Sequence, residues 1–348
     1  MKTRICLFVL CCSIVLSSPG VVAQSFPESD RDTTYYTVRG ERHGVSFFRQ
    51  HRHEGVEYEA GDVLTFDRYH TVDVMYEWLE RWAEQYPNLV DLYEVAKSFE
   101  GRPILQVTLT NKETGAAVDK PASYFEGGRH SGEVTSSESA LWLIKYLLDN
   151  YGQDNEVTEF LDTRAMYVRP ENNPDGSNMY LHTAQSNRST VRPHDNDRDG
   201  LLDEDSPNDL DGDGIIHQIR YRPRPGTDDE ANYIVDDRDP SGRLLRRIRG
   251  DEIGEWLVIS EGLDDDGDGR YNEDGIGGLD LHRNYPENWR PDTGGDKTRR
   301  GYTQGGAGAY PLSEIETRAT VLFLLANPNV SVVNSMDTRA VSYTHLTL

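Results

Sequence analysis

ASYFEGGRHSGEVTSSESALWLIKYLLDN, residues 122–150, is the stretch that decides the fold. Its first five residues predict a β-strand over Ala122–Glu126, and two glycines then lead to His130. The following residues, Val134–Asn150, carry apolar side chains at helical spacing and predict a long helix. A strand that runs through a glycine turn into a helix is the repeating unit of an α/β domain.

The same alternation continues on both sides of this stretch. The spacing of apolar residues predicts further helices and strands, with helices near 72–86, 156–161 and 319–326 and strands near 89–95, 104–110, 164–169 and 330–333. We therefore predict an α/β fold, a mixed and largely parallel twisted sheet with helices on both faces. Ser313 and Glu316 have the spacing of a capping box at the start of the last helix.

Charge and composition narrow the range of functions. The 348 residues include 36 Lys and Arg against 60 Asp and Glu, a formal net charge of −24. This acidic excess argues against a nucleic-acid partner and against attachment to an anionic membrane surface. Apolar residues make up 36% of the chain, which together with its glycines is enough for a sizeable core.

The N-terminus has the three parts of a secretory signal peptide: Lys2 and Arg4, an apolar run over 5–16, and the small residue Ala23. We predict removal of residues 1–23 and export to the periplasm or the extracellular space, with no membrane span left afterwards. All three cysteines lie in the removed segment, so no disulfide or thiolate chemistry is expected. The polar residues 24–65 are predicted to be an N-terminal extension.

His130 and Glu133 are candidate zinc ligands. An imidazole and a carboxylate three residues apart, directly after a strand, reach one ion when the loop wraps around it. A catalytic zinc also needs a third protein ligand and an open position for water. The pair alone is a weak signal, because a chain with 10 His and 60 acidic residues contains such a pair by chance. The alternative is a solvated pair in which Glu133 interacts with the helix dipole.

Five blocks, spread through the chain in a fixed order, resemble the zinc metallocarboxypeptidase family of the carboxypeptidase A/B type. They are SFEGRPI at 98–104, GRHSGE at 128–133, NPDG at 173–176, DLHRNY at 280–285 and PLSEIET at 311–317. The resemblance implies a carboxypeptidase domain over 66–340 that holds zinc through His130 and Glu133. It also implies hydrolysis of the last peptide bond of a peptide or protein with a free C-terminus, through a water that zinc activates.

The resemblance also implies which residues bind the substrate. Arg283 corresponds to the arginine that binds the C-terminal carboxylate of the substrate, a role that suits a planar bidentate donor. His282, beside it, stands where the family usually has Asn. The family's oxyanion-stabilising arginine has two candidates here, Arg188 and Arg192, and their spacing leaves the choice open.

Several family residues have no counterpart in this sequence. The third zinc ligand of the family is a histidine just after the last predicted strand, yet the next histidine here is His345. The later tyrosine and the general-base glutamate are also not seen. Residues 341–348 resemble a translated sequencing adapter, so we expect a truncated reading frame with a non-native tail. We expect residues 1–348 as printed to be inactive and to bind zinc weakly.

An acidic insertion covers residues 195–280 and holds 26 of the acidic residues. Three Asp-x-Asp-x-Asp-Gly runs resemble the start of a calcium loop, and they predict structural Ca²⁺ in addition to Zn²⁺. The predicted ligands are Asp195, Asp197, Asp199, Asp209, Asp211, Asp213, Asp264, Asp266 and Asp268. No run has Glu at its twelfth position, but Asp205 and Asp274 are placed to close the first and third runs. The alternative is a solvated acidic loop without an ion.

Functions of other classes remain open. A non-catalytic peptide- or metal-binding module on the same fold is favoured by His282, because it departs from the family pattern. A calcium-stabilised surface protein is supported only by the Asp-rich runs. An endopeptidase, or an amidase acting on cell-wall peptides, is a further use of the same fold.

Overall fold

The computed structural model describes residues 35–38, 41–44, 48–196, 202–223, 230–265, 269–287, 289, 306–337 and 341–344. The predicted signal peptide over 1–23 lies outside these residues, and so do five individual candidates: Asp197, Asp199, Asp266, Asp268 and His345. Within the described residues, no helix combines the length and the apolar character needed to cross a membrane.

The described chain alternates strands and helices as the periodicity predicts. The strands are β1 Tyr35–Val38, β2 Glu41–Gly44, β3 Val56–Glu57, β4 Tyr69–His70, β5 Val90–Lys97, β6 Pro103–Leu109, β7 Ala122–Glu126, β8 Ala165–Arg169, β9 Gln218–Tyr221, β10 Tyr233–Val235, β11 Leu245–Arg247, β12 Leu257–Ser260, β13 Val330–Met336 and β14 Val341–Thr344. The helices are α1 Val72–Gln85, α2 Val134–Asn150, α3 Asn155–Thr163, α4 Pro174–His182 and α5 Ile315–Ala326. The bounds of β7 and α2 match the predicted ones because each is defined by an uninterrupted local pattern.

Six strands form the main sheet, in the order β14-β13-β7-β8-β6-β5. The three central strands β13, β7 and β8 are parallel, whereas β6 and β5 add to one side and β14 to the other in antiparallel pairings. The predicted mixed sheet is confirmed, but among the described strands it is not largely parallel. Only the two central pairings, β13 with β7 and β7 with β8, are parallel, and the other three are antiparallel. The sequence predicted no strand over Val341–Thr344, whose backbone pairs with the edge of β13.

Helices cover both faces of the sheet, as predicted. On one face α1, α2 and α3 pack Leu79, Ile144 and Leu161 into a cluster that also contains Val107 and Val168 of the sheet. On the other face α5 places Phe323 against the rings of Tyr124 and Tyr167. Each fully buried aliphatic side chain of this kind contributes about 1.5–3 kcal/mol to the free energy of unfolding.

The start of α5 differs from the predicted capping box. The N-cap residue is Glu314, and its side chain caps no helix amide. Instead Asn284 Oδ1 accepts hydrogen bonds from the Glu314 amide at 3.1 Å and from the Thr317 hydroxyl at 2.6 Å. Asn284, distant in sequence, thus fixes the start of the helix, and Glu316 is buried inside the domain.

Residues 48–65, from the predicted N-terminal extension, contact the end of α4. His53 Nε2 lies 2.7 Å from the carbonyl oxygen of Thr183, and the Tyr58 hydroxyl donates to the carbonyl of Leu181 at 2.7 Å. These bonds satisfy carbonyls that the last turn of a helix leaves without an intrahelical donor.

The acidic insertion consists of loops with two short antiparallel strand pairs, β9 with β12 and β10 with β11. Its two ends lie side by side on the core. The Thr190 amide donates to the Leu279 carbonyl at 3.2 Å, and the Leu279 amide donates to the Thr190 hydroxyl at 3.1 Å. The chain therefore leaves the core and returns to it at adjacent positions.

Candidate metal centre

Two neighbouring parallel strands bring the central residues of the site together. His130 follows β7 after a short glycine turn, and Asp337 follows β13 directly. Glu126 at the end of β7 pairs with Ser335 of β13, so the chain leaves both strands at the same edge of the sheet. The turn requires glycine at Gly128, because its φ is +63° and a Cβ atom there would clash with the carboxylate of Glu171.

His130 lies at the centre of this site with only 2% of its surface exposed. Its Nε2 atom is 2.9 Å from Asp280 Oδ1. Its Nδ1 atom is 3.0 Å from Glu133 Oε1 and 3.7 Å from Asp337 Oδ1. When Nε2 donates its proton to Asp280, the lone pair of Nδ1 faces the other two carboxylates, which is the arrangement of a histidine oriented to bind a metal.

His282 completes the group. Its Nε2 atom is 3.2 Å from Asp337 Oδ1, and its ring centroid lies 4.2 Å from that of His130. The ligand atoms of His130, His282 and Asp337 all lie within 4.8 Å of one another. Burial lowers the pKa of His282, which favours the neutral ring that a metal requires.

The two candidate arginines occupy different places. Arg188 donates from Nη1 to Glu133 at 3.2 Å and from Nε to Asp280 at 3.3 Å, so it lies at the site. Arg192 instead pairs with Glu314 at 3.2 Å and lies over the ring of Phe99. The structure therefore brings only the first of these two arginines to His130.

Arg283 follows His282 in a short 3₁₀ helix that begins after Asp280. The Arg283 amide donates to the Asp280 carbonyl at 2.8 Å, but its side chain is exposed. Among the described residues, no hydrogen bond or ion pair engages its guanidinium group. This permanently charged donor is accessible from solvent beside the histidines.

The pKa values of two carboxylates of the site, Asp280 and Asp337, are lowered. Burial opposes the ionisation of Asp280, but the hydrogen bond from His130 and the charge of Arg188 outweigh it and hold the pKa of Asp280 well below its usual range. Burial acts in the same direction on Asp337, where the hydrogen bond with His282 prevails and lowers the pKa. Anionic oxygens and neutral imidazoles form a donor set that suits Zn²⁺.

A cavity of about 1520 Å³ adjoins Glu133. Gly132 and Val134, on either side of this glutamate, line it together with Tyr180 of α4. Asp195 and Ile276, near the two ends of the acidic insertion, also line it. The insertion thus encloses space next to the candidate ligands.

Sequence reasoning missed the roles of two residues. Asp280 lies inside a block that resembles the family but was assigned no contact, although it is the partner of His130 Nε2. Asp337 went unrecognised because the expected ligand was a histidine. The sequence signal for Asp337 is its position immediately after the last predicted strand. Because β13 pairs with β7, that position lies beside His130.

The second Asp-rich run uses its carboxylates to bind its own backbone. Asp209 accepts hydrogen bonds from the amides of Gly212, Asp213 and Gly214. Two groups of side chains in this region have ligand atoms close enough together to hold a metal ion. One group is Asp209, Asp211 and Glu261, and the other is Asp211, Asp213 and His217. Glu261 and His217 were not among the predicted residues.

The chain is similar in sequence to known carboxypeptidases. A family model described as zinc carboxypeptidase matches residues 75–233. Carboxypeptidase A1 of Mus musculus is 32% identical over 127 residues, which are 36% of this chain and 29% of that protein. Residues 75–233 are similar to the zinc carboxypeptidase family.

Other carboxypeptidases align over different shares of the chain. Carboxypeptidase D of Anas platyrhynchos is 34% identical over 109 residues, 31% of this chain and 8% of that protein. The solved structure of carboxypeptidase A from Helicoverpa armigera covers 79% of this chain and 47% of its own chain, at 16% identity and a TM-score of 0.48. The chain thus spans under a third of the length of the curated relatives that it matches.

Proposed function

We propose that the protein carrying this chain is an exported zinc-dependent metallocarboxypeptidase that hydrolyses C-terminal peptide bonds. The observation that carries the proposal is the environment of His130, whose Nε2 contacts Asp280 while Nδ1 faces Glu133 and Asp337. The match of residues 75–233 to the zinc carboxypeptidase family model supports the reaction class, and the signal-peptide pattern at 1–23 supports export.

The ligands that would hold zinc are His130, Glu133 and Asp337. One nitrogen and two carboxylate oxygens meet the requirement for three protein ligands of a catalytic zinc. The family's third histidine is replaced by aspartate, which makes the ligand set more negative by one charge. When bound, zinc would polarise the scissile carbonyl and lower the pKa of a water molecule. Asp280 would keep His130 in the correct tautomer and orientation.

Two arginines would act on the substrate. Arg188 reaches Glu133 and Asp280 with its guanidinium half exposed, so it would stabilise negative charge that develops on the carbonyl oxygen. Arg283, exposed beside the site, would pair with the free carboxylate at the end of the peptide. A substrate without that carboxylate leaves this charge unused, which makes the proposed enzyme an exopeptidase.

A second candidate function follows from the position of His282. Its Nε2 lies 3.2 Å from Asp337 Oδ1, close enough to serve as a fourth ligand. Four protein ligands close a zinc site and leave no position for water, as in structural sites. The protein would then be a non-catalytic metal-binding module on the carboxypeptidase fold.

Hydrolysis of a matched pair of peptides tests the proposal. The protein that carries this chain is loaded with zinc and offered a blocked dipeptide with a free C-terminus and the same dipeptide as its C-terminal amide. We expect cleavage of the first only, its loss after removal of zinc, and its return when zinc is restored. Binding of one zinc without cleavage of either peptide would support the non-catalytic module instead.

A further inference from the structure

The first and third Asp-rich runs repeat one eleven-residue pattern. Residues 195–205 read DNDRDGLLDED and residues 264–274 read DDDGDGRYNED, with identical residues at six of the eleven positions. Both runs end in Glu-Asp, as Glu204-Asp205 and Glu273-Asp274. The second run, which begins at Asp209, has Gln218-Ile219 at the same two positions. In the structure the first and third runs contact each other through these Glu-Asp endings.

The two runs are joined by reciprocal hydrogen bonds. The amide of Asn196, in the first run, donates to Asp274 Oδ1 at 2.8 Å. The amide of Asn272, in the third run, donates to Asp205 Oδ2 at 2.9 Å. The last aspartate of each run therefore binds the backbone of the other run, and the two runs form one interlocked unit.

The second oxygen of each of these aspartates is buried without a donor. Asp205 and Asp274 are both 0% exposed. Among the described residues, Asp205 Oδ1 and Asp274 Oδ2 have no hydrogen-bond partner. Burying a charged oxygen without compensation is expensive, and protein interiors generally compensate it with a partner or a metal.

Each aspartate also lies against a carboxylate of the opposite run. Asp205 is within hydrogen-bonding range of Glu273, and Asp274 is within hydrogen-bonding range of Glu204. The next charges acting on them, Asp265 and Asp203, are also negative. Two ionised carboxylates repel each other strongly in a buried position, so each pair requires a cation or a shared proton.

We propose that these two pairs, Asp205 with Glu273 and Asp274 with Glu204, form two related calcium sites that lock the two ends of the insertion together. All the donors are carboxylate oxygens, which hard cations such as Ca²⁺ prefer, whereas softer metals prefer thiolate or imidazole ligands. Calcium accepts carbonyls and waters in the remaining positions of its flexible coordination shell.

The proposed sites lie close in sequence to the candidate metal centre. Asp203 Oδ1 accepts hydrogen bonds from the amides of His194 at 2.9 Å and Gly277 at 3.0 Å, which binds the two ends of the insertion at its base. Arg188 precedes the first of these ends, and Asp280 follows the second. Calcium would therefore brace the two segments that carry the Arg188–Asp280 ion pair.

Calcium titration of the full chain tests the proposal. Metal-free protein is saturated with zinc, and calcium is then added while Tm and binding heat are measured. We expect two bound calcium ions and a Tm that rises by several degrees at millimolar calcium, because the ion binds only the folded state. Asp205→Asn and Asp274→Asn should each lose most of the shift. Asp237→Asn, which removes an exposed carboxylate of the same insertion, should keep all of it.

The Tm of the Asp205→Asn and Asp274→Asn variants in calcium-free buffer distinguishes loss of ion binding from loss of a structural contact. Each of the two variants removes a buried negative charge that has a carboxylate neighbour, so in calcium-free buffer its Tm should equal or exceed that of the wild type. The order should reverse in calcium. A wild-type protein with neither binding heat nor a Tm shift would overturn the proposal in favour of shared protons. A full shift retained in both variants would overturn it in favour of the run at Asp209, and Asp209→Asn would then abolish the shift.

Discussion

The candidate metal centre and the interlocked Asp-rich runs handle buried carboxylates in opposite ways. At the centre, Asp280 and Glu133 contact His130 and Arg188, so each negative charge has a partner within the protein. In the insertion, Asp205 and Asp274 lie against other carboxylates. The first arrangement is organised before a metal binds, whereas the second requires a cation or a shared proton. We expect zinc binding to change the stability of the fold less than calcium binding does.

Among these variants, Asp280→Asn is expected to have the largest effect on zinc affinity. The amide cannot accept the proton of His130 Nε2 with the strength of a carboxylate, so the imidazole loses its preferred tautomer. Loss of such a partner typically weakens metal binding by about 10–100-fold. Competition with a chromophoric chelator measures the zinc affinity. Asp251→Asn, at an exposed position, is the control, and the calcium response should be unchanged in both variants.

Arg283→Ala should raise the KM of a blocked dipeptide with a free C-terminus by about 10–100-fold, the cost of a lost hydrogen bond to a charged group. Steady-state kinetics with the zinc-loaded protein measures it. Arg192→Ala is the matched comparison, because Arg192 pairs with Glu314 away from His130. Equal losses in the two variants would remove the reason to assign the substrate carboxylate to Arg283.

Glu316 represents a third way to bury a carboxyl group, and its expected effect is smaller. Burial, reinforced by the charge of Glu314, raises the pKa of Glu316 to about 8. The folded protein then holds a proton that the unfolded chain releases near its ordinary pKa, so this group lowers the free energy of unfolding as pH rises from about 4.5 to about 8. Glu316→Gln should therefore be more stable than the wild type at pH 8, by more than about 1 kcal/mol.

Urea unfolding between pH 5 and pH 9 measures the Glu316 effect. Glu287→Gln, at an exposed position, should show the pH dependence of the wild type. An unchanged slope in Glu316→Gln would mean that the buried carboxyl group is ionised in the folded protein and has a compensating charge.

His282→Asn, which restores the residue usual in the family, is the variant with the smallest expected effect. If zinc is held by His130, Glu133 and Asp337, the affinity should stay within about threefold of the wild type. A hundredfold loss would instead identify His282 as a fourth ligand and favour the closed, non-catalytic site. The same chelator competition measures both outcomes.

The limits of prediction from sequence follow the range of the interactions. Local periodicity is enough for β7 and α2, whose bounds agree with the predicted ones. The candidate pair His130 and Glu133 lies within one turn of chain and is visible as a short motif. Asp337 becomes a neighbour of His130 only because β13 pairs with β7 across some two hundred residues, which no local pattern encodes. The choice between Arg188 and Arg192 depends in the same way on Glu314, far along the chain.

Calcium binding illustrates the same limit. The Asp-x-Asp-x-Asp-Gly runs are visible in the sequence, but the reciprocal bonds through Asn196 and Asn272 are not. These bonds join the first and third runs to each other, although the third run, like the second, also has a carboxylate that accepts a hydrogen bond from its own loop. Three similar motifs therefore have two different structural environments.

Zinc affinity of Asp337→Ala tests the central claim most directly. Wild-type protein should bind one zinc ion, and the variant should bind it at least about a hundredfold more weakly, because it loses one of three ligands and keeps a site with a single histidine and a single carboxylate. Competition with a chelator at neutral pH gives both constants in one experiment. Equal zinc affinities in the two proteins would contradict the proposed ligand set and with it the metal centre at the end of β7 and β13.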